Sequence, residues 1–325
     1  NISPSNNTQD FLVELGTEEL PPKALKKLAA AFQAGIESHL KEKGLNFESS
    51  KLFAAPRRLA LRLKSLDSVG AVSKVEKLGP YSNVAFDSDG NPSKAAVAFA
   101  KKNGVEVSDL QTANDGKIDK LMVTVTSGGE ATVEKLAAIV EASVNALPIA
   151  KRMRWGASRT EFIRPAHWLV MLFGDEIVDA NILSVKSGRS TRGHRFHYNQ
   201  ELQIDNADDY LQKLPNTAYV QVDYSARQDV IRAQVEAEAA KVGGVAVIDQ
   251  DLLDEVTGLV EWPVALTGRF DDSFLEIPSE ALIYSMKEHQ KYFPVVDSEG
   301  KLLPHFITVA NIESKDPQQV ISGNE

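Results

Sequence analysis

Apolar positions recur along the 325-residue chain with two periods, one near 3.6 and one of 2, and their order sets the expected elements. Phe11-Leu-Val-Glu-Leu15 is a short apolar run of strand character. Pro21-Pro22 suits the start of a helix, where a missing amide donor costs nothing. Beyond it, Leu25, Leu28, Phe32, Ile36 and Leu40 fall three or four apart and predict one buried helix face, ended by Gly44. Leu59, Leu61 and Leu63 alternate with Arg58, Arg62 and Lys64, which predicts a strand with one buried and one basic face. The chain is thus expected to open β-α-β, its second strand leaving the polar turn Ala55-Pro56-Arg57-Arg58.

Further on, Asp89-Gly-Asn-Pro92 marks a turn, and Ser93 is placed to cap a helix over Lys94–Lys102 that Asn103-Gly104 closes. A strand is expected over 118–126, a helix over 130–146 stopped by Pro148, and a hairpin over 162–184 around Phe173-Gly-Asp-Glu176. Residues 224–242 predict a long helix ended by Gly243-Gly244, followed by a helix over 252–261 and a strand over 263–270. The last elements are a helix over 278–290 and two strands, 292–296 and 305–310, around Asp297-Ser-Glu-Gly300. Strands and helices mix without steady βα alternation or internal repeat, which points to an α+β fold of mixed sheets with helices in two or more subdomains. The divisions expected are a disordered polar tail over 1–10, an α+β region over 11–150 and a second over 151–325 that holds the basic segment 151–195, with the seam near 148–160. Ile321-Ser-Gly-Asn-Glu325 follows a strand and a turn with no capping helix or return strand, and reads as a truncated end.

Composition narrows the function classes. At 43% hydrophobic and 25% charged residues, wholesale disorder is excluded. The absence of cysteine removes disulfide scaffolds, thiolate nucleophiles and Cys-ligated metal sites. No run approaches 18 apolar residues, so no membrane helix is expected and the cytoplasm is the default. The net charge of −9 at first argues against a polyanionic partner. Divided along the chain it is 0 over residues 1–150, +5 over 151–200, −12 over 201–280 and −2 beyond, so a cationic excess is confined to one segment.

That segment carries the candidate chemistry. Lys151, Arg152 and Arg154 lie beside Trp155, and Ser187–Arg195 sets Arg189, Arg192 and Arg195 among Gly and hydroxyl residues. Guanidinium forks, hydroxyl donors and open backbone suit a phosphate backbone, and Trp155 and Phe196 suit stacking on an unpaired base. The competing reading is a solvated loop whose arginines pair with the acidic segment that follows. Arg57 and Arg58 are weaker RNA-binding candidates, one anchoring the turn and the other pointing out. Lys287-Glu-His-Gln-Lys-Tyr-Phe293 fits either a buried hydrogen-bond network or a binding surface. Glu18-Glu19 fits an acid/base or amine-binding pair, or a complement to a helix N-terminus. His194 and His197 have neither Cys nor a carboxylate motif to complete a zinc site, and His167 reads as a core histidine, so no metal is expected. No nucleophile elbow, phosphate loop, dinucleotide turn or paired metal-binding carboxylates occur, and no catalytic residue is assigned.

Eight segments together carry a resemblance. Phe11–Leu25, Phe53–Ala60, Met153–Gly156, Phe162–His167, Arg192–Phe196, Val260–Pro263, Met286–Pro294 and Val309–Lys315 resemble, in order, the β subunit of bacterial glycyl-tRNA synthetase. The resemblance implies a heteromeric, α2β2 synthetase in which a class II α subunit binds ATP, Mg²⁺ and glycine and makes the adenylate, while β holds tRNA for glycine and packs against α. It implies no cofactor in this chain, and a longer subunit with HD-like and anticodon-binding domains beyond residue 325. Part of the family's β subunit is similar to the B3/B4 editing module of phenylalanyl-tRNA synthetase. The expectation is therefore a tRNA-binding and scaffolding part of a glycine–tRNA ligase, itself without catalytic residues. The alternatives are a hydrolase acting on mischarged tRNA, or a subunit-interface scaffold with no RNA contact.

Overall fold

A computed structural model describes residues 7–114, 119–148 and 166–311. It divides into two compact units, one formed by residues up to Glu42, Asn46–Ser68 and Thr132 onward, the other by Lys43–Leu45 and Val69–Ala131. The seam expected near 148–160 falls largely outside the described residues.

The larger unit is built on a mixed sheet. β1 (Thr8–Thr17) leads to α1 (Leu25–Glu42), β2 (Ser49–Ala55) and β3 (Arg58–Asp67). β1 begins at Thr8, inside the stretch read as a tail, because its amide and carbonyl groups pair with β3 from Asp67 onward. The opening is β-α-β-β: Ala55-Pro-Arg-Arg58 is the turn of a hairpin that joins β2 and β3, not the start of a lone second strand. Leu59, Leu61 and Leu63 lie opposite Leu15, Val13 and Phe11, so this face of the sheet is apolar. The helix face predicted from Leu25, Leu28, Phe32, Ile36 and Leu40 is buried, and α1 packs on β2, β3 and α4 (Leu136–Asn145).

Of the basic face predicted for β3, Lys64 is exposed, but the rest is covered. Arg58 and Ala60 are fully buried, opposite Gly16 and Glu14 of β1, because a second layer covers them. Arg62 is held between Asp10 (2.8 Å) and Asp208 (2.7 Å). β7 (Ala166–Phe173) pairs with the other edge of β1, which places β1 at the centre, buried on both faces from Phe11 to Thr17. β8 (Glu176–Ile177), β9 (Asn181–Ile182) and β10 (Val185–Gly188) complete the sheet, and the Phe173–Glu176 hairpin is as expected. β11 (Ser190–Arg192) pairs with β12 (Glu201–Gln203), and α5 (Ala207–Asn216) follows under an Asn206 cap. Tyr210 and Leu214 of α5 pack with Leu12, Ala60, Trp168 and Val170 in one core that closes over the Arg58–Glu14 face.

The same unit continues through α6 (Tyr224–Lys241), β13 (Val245–Ala246), α7 (Gln250–Thr257), β14 (Val264–Arg269), α8 (Ser279–Ser285), β15 (Phe293–Val296) and β16 (Leu302–Ala310). The strands form an antiparallel sheet in the order β13-β15-β16-β14, whose core joins Phe293, Val295 and Ile307 to Ile231, Val235 and Leu253 of the two helices. Asp223 and Asp249 cap α6 and α7 through Ala226 N and Leu252 N, so part of the acidic excess of 201–280 is spent on helix starts.

The smaller unit has an antiparallel sheet of β4 (Ser73–Tyr81), β5 (Gln111–Asn114) and β6 (Asp119–Ser127), with β6 central, and two helices, α2 (Ser82–Ala85) and α3 (Lys94–Lys102). Ser93 caps α3 by accepting from Ala96 N, and Gly104 turns the chain at φ +70°, as the sequence predicts. Among the described residues, no helix is long and apolar enough to cross a membrane.

Candidate functional site

At one end of the main sheet β1 runs out as β3 and β7 begin, with Gly16 opposite both Arg58 and Trp168. A Cβ on Gly16 would stand 1.9 Å from the Trp168 ring, so glycine is what lets the indole lie across the strand. Trp168 Nε1 then donates to Glu14 Oε1 at 2.6 Å. Glu14 is fully buried and also accepts from Thr191 Oγ1, Tyr210 OH and, at 3.3 Å, Arg58 Nη1. The Arg58 guanidinium lies 5.3 Å from the Trp168 ring centroid, and Thr191 Oγ1 accepts a second bond from it at 3.2 Å. Burial works against its charge, yet Glu14 and Glu261 outweigh burial and hold Arg58 above its ordinary pKa.

Beside this buried network stands a second one. Glu261 is nearly fully buried, and it accepts from Arg57 Nε at 2.6 Å and from Arg57 Nη2 at 3.2 Å, a two-point clamp. Its Oε2 also accepts the Arg195 backbone N–H at 3.2 Å. Burial raises the Glu261 carboxyl, but the charge of Arg58 and the hydrogen bond from Arg57 leave it below the usual carboxylate value. Arg57 Nη2 additionally donates to Gly193 O at 2.7 Å. His194 Nδ1 accepts from the N–H groups of Phe196 (3.1 Å) and His197 (3.2 Å), so Nδ1 is unprotonated and Nε2 is the donor, to Asn311. Both ring nitrogens are thereby spent, which leaves neither for a metal, and burial pushes the imidazole below its ordinary pKa. Asn311 Oδ1 accepts from Glu261 N (2.5 Å) and Trp262 N (3.2 Å).

Above these networks opens a cleft of about 590 Å³ lined by Thr17, Glu18, Glu19, Arg57, His167, Trp168, Arg192, Arg195 and Asn199. Its basic side chains face carboxylates: Arg195 Nη1 is 2.6 Å from Glu19, Arg192 Nη2 is 3.7 Å from Glu201, and the His167 ring Nε2 is 3.4 Å from Glu18. These pairs are solvent-exposed, and exposed pairs contribute only about 0–1 kcal/mol each, so an anionic ligand can displace their carboxylates at small cost. Arg57, clamped by a buried acid, cannot be redirected in this way. The arrangement is a fixed frame with exchangeable ion pairs on its rim.

The candidate RNA-binding residues separate accordingly. Arg192 and Arg195 line the cleft, and Arg57 forms its inner wall. Arg189 is committed to structure, its Nη2 donating to Asp175 O at 2.7 Å and its Nη1 to Ile204 O at 3.2 Å. Arg58, entirely enclosed, is not available to a phosphate; of the two turn arginines it is the deeper anchor, and Arg57 is the one that reaches the cleft. Lys151, Arg152, Arg154 and Trp155 lie outside the described residues. One reading changes: His167 is half exposed on the cleft, not in the core, because β7 starts there. Of the alternatives for Glu18-Glu19, the contacts favour a pair facing basic groups, with Glu18 against His167 and Glu19 against Arg195. In the 287–293 segment, Lys287 and Lys291 pair with Asp249 (3.1 Å) and Glu255 (3.0 Å), tying a π-helical turn, Met286–Gln290, to α7.

Glu14, Trp168, Thr191, Asn199, Tyr210 and Asn311 were not singled out as site residues from sequence. For Glu14 a signal exists, a lone carboxylate inside an apolar strand run. For the others, only the tertiary contact reveals the role.

The fold and cleft define an α+β protein that presents arginine on a rigid carboxylate-clamped frame. Comparison with known sequences is more specific. The profile of the glycyl-tRNA synthetase β subunit family matches residues 11–325. The chain is 54% identical to the glycine–tRNA ligase β subunit of Marinobacter nauticus, 53% to that of Hahella chejuensis and 52% to that of Pseudomonas fluorescens Pf0-1. Each match covers 98% of this chain and 46% of the relative, so the chain spans about half the length of these curated relatives. The chain belongs to the glycyl-tRNA synthetase β subunit family.

Proposed function

We propose that this chain is a tRNA-binding and scaffolding part of a heteromeric glycine–tRNA ligase, acting in the cytoplasm in an α2β2 assembly. The observation that carries the reading is the family match over 98% of the chain. ATP, Mg²⁺ and adenylate chemistry belong to the separate α subunit, and the role of this chain is to position tRNA. The cleft supports that role, since residues distant in sequence (Thr17–Glu19, Arg57, His167-Trp168, and Arg192 with Arg195) meet there around exchangeable arginines. Arginine contacts to phosphate hold register without reading sequence, so glycine identity is read elsewhere.

The test is glycylation by the α subunit with full-length β carrying Arg192→Ala and Arg195→Ala. Adenylate formation is expected to persist while charging falls and the tRNA KM rises. Charging unchanged from wild type removes the cleft from the tRNA path.

A second reading has one observation behind it. His167 and Glu18 form an imidazole–carboxylate pair in the cleft, a group able to activate water for deacylation of mischarged tRNA. Glycine, as the smallest substrate, leaves little need for such a sieve. Release of amino acid from mischarged tRNA, abolished by His167→Ala, supports it; no release removes it.

A further inference from the structure

The cleft continues onto a row of rings, exposed at Phe196, His197 and Tyr219 and half-buried at Trp262. Arg195 bridges the two: its Nη1 reaches Glu19 in the cleft, while its guanidinium carbon lies 5.8 Å from the ring of Phe196. Phe196 is 65% exposed, a large apolar ring held in water. The buried His194 ring packs against it at 6.0 Å and against His197 at 4.9 Å. The row goes on through Tyr219, 5.6 Å from His197, to Trp262, 5.9 Å further and edge-on.

Two features fix this row in place. The first is His194, whose Nδ1 holds the backbone of Phe196 and His197 while its own N–H donates to Asn311. The second is Tyr219, which adopts φ +56° between the fully buried Ala218 and Val220 and is itself 43% exposed. A non-glycine residue at that φ is costly and persists where the surroundings over-determine it, as at ligand sites. The ring of Tyr219 points outward between two buried neighbours, and the left-handed backbone fixes its direction.

Rigid, exposed rings beside arginines that can trade their carboxylates match one ligand chemistry, an unpaired nucleotide with its base against a ring and its phosphate against a guanidinium. A duplex presents phosphates but no free base face, and leaves the rings unused. We propose that Phe196, with the His197–Tyr219–Trp262 row beside it, is a stacking platform for an unpaired base of RNA whose adjacent phosphate is held by Arg192 and Arg195. The inference rests on the tRNA-binding reading and narrows it to a single-stranded segment.

The test uses the chain with a short single-stranded oligoribonucleotide carrying 2-aminopurine, and the same strand annealed to its complement, in fluorescence titrations at several salt concentrations. Stacking quenches 2-aminopurine. The wild type is expected to quench the single strand and bind it more tightly than the duplex. Phe196→Ala is expected to abolish quenching and weaken binding about 5- to 100-fold, the range for loss of one stacked base, while Phe196→Trp restores both. Arg192→Ala with Arg195→Ala is expected to weaken binding and flatten its salt dependence, with residual quenching at high RNA concentration. If the arginine variant weakens binding and Phe196→Ala does not, the platform is overturned and the tRNA-binding cleft stands. If Phe196→Ala acts and the arginine variant does not, the phosphate assignment is overturned. No binding of either RNA by the wild type, or equal affinity for strand and duplex, overturns the proposal outright.

Discussion

Glu14 shows how much one buried carboxylate can organise. Four donors from β3, β7, β11 and α5 converge on it, including Arg58, which is entirely enclosed. Removing one partner of a buried ion pair leaves an uncompensated charge and typically costs about 3–5 kcal/mol, whereas replacing both by apolar groups costs far less. Glu14→Gln is therefore expected to lower the urea midpoint sharply, and Glu14→Gln combined with Arg58→Met, which removes the uncompensated guanidinium and keeps an acceptor for the other donors, to recover part of the loss; a double variant as unstable as the single one contradicts this. His194 and Glu261 act through pH. Both have folded-state pKa values below their ordinary 6.5 and 4.5, so each contributes stability that is complete above that value and is lost as pH falls. Denaturation between pH 8 and 4 is expected to show a first decline beginning near 6.5, where the unfolded state takes up a proton that buried His194 refuses, and a second near 4.5. His194→Gln is expected to remove the first decline only.

At the scale of elements, β1 is the strand around which the site is arranged. Its apolar face packs toward α1, and its other face carries Leu12, Glu14 and Gly16 under α5 and Trp168. Gly16→Ala would force a methyl into the indole ring, and overpacking of this kind costs about 1–3 kcal/mol. The variant is expected to lose thermal stability and to shift Trp168 fluorescence, since the indole must leave Glu14; an unaltered spectrum contradicts the packing argument. The helix stripe of α1, the caps at Ser93 and the 173–176 hairpin were all legible in the residue pattern, because each depends on neighbours within a few positions. The cover over Arg58 and Arg62 on the basic face of β3 was not legible, for the opposite reason. Alternation shows that two faces differ, and says nothing about whether a later element covers the second.

At the scale of the molecule, the two units differ in how much core they hold. The main unit closes several cores, whereas the core cluster in the smaller unit joins Ala85, Ala96 and Leu121, with Val75, Leu78, Tyr81 and Val97 exposed. Small cores open at lower free energy. Amide exchange in β4 and β6 is expected to run faster than in β1, β3 and β7 under native conditions, and equal protection contradicts the difference. Charge behaves similarly across scales: the cationic excess of 151–200 did locate two cleft arginines, but Arg189 of the same segment is committed to backbone carbonyls.

Local period, caps and turn residues decided the helices, the hairpin and the α+β class, since these rest on short-range backbone preferences. Eight ordered segments pointed to the family. Their convergence is a property of the folded chain alone. Glu261 meets Arg57 across 204 positions, Asn311 meets His194 across 117 and Arg195 meets Glu19 across 176. Hydrogen bonds and desolvation act over a few ångströms of space regardless of distance along the chain, so which arginine is locked, which is exchangeable and which ring faces solvent was settled by packing.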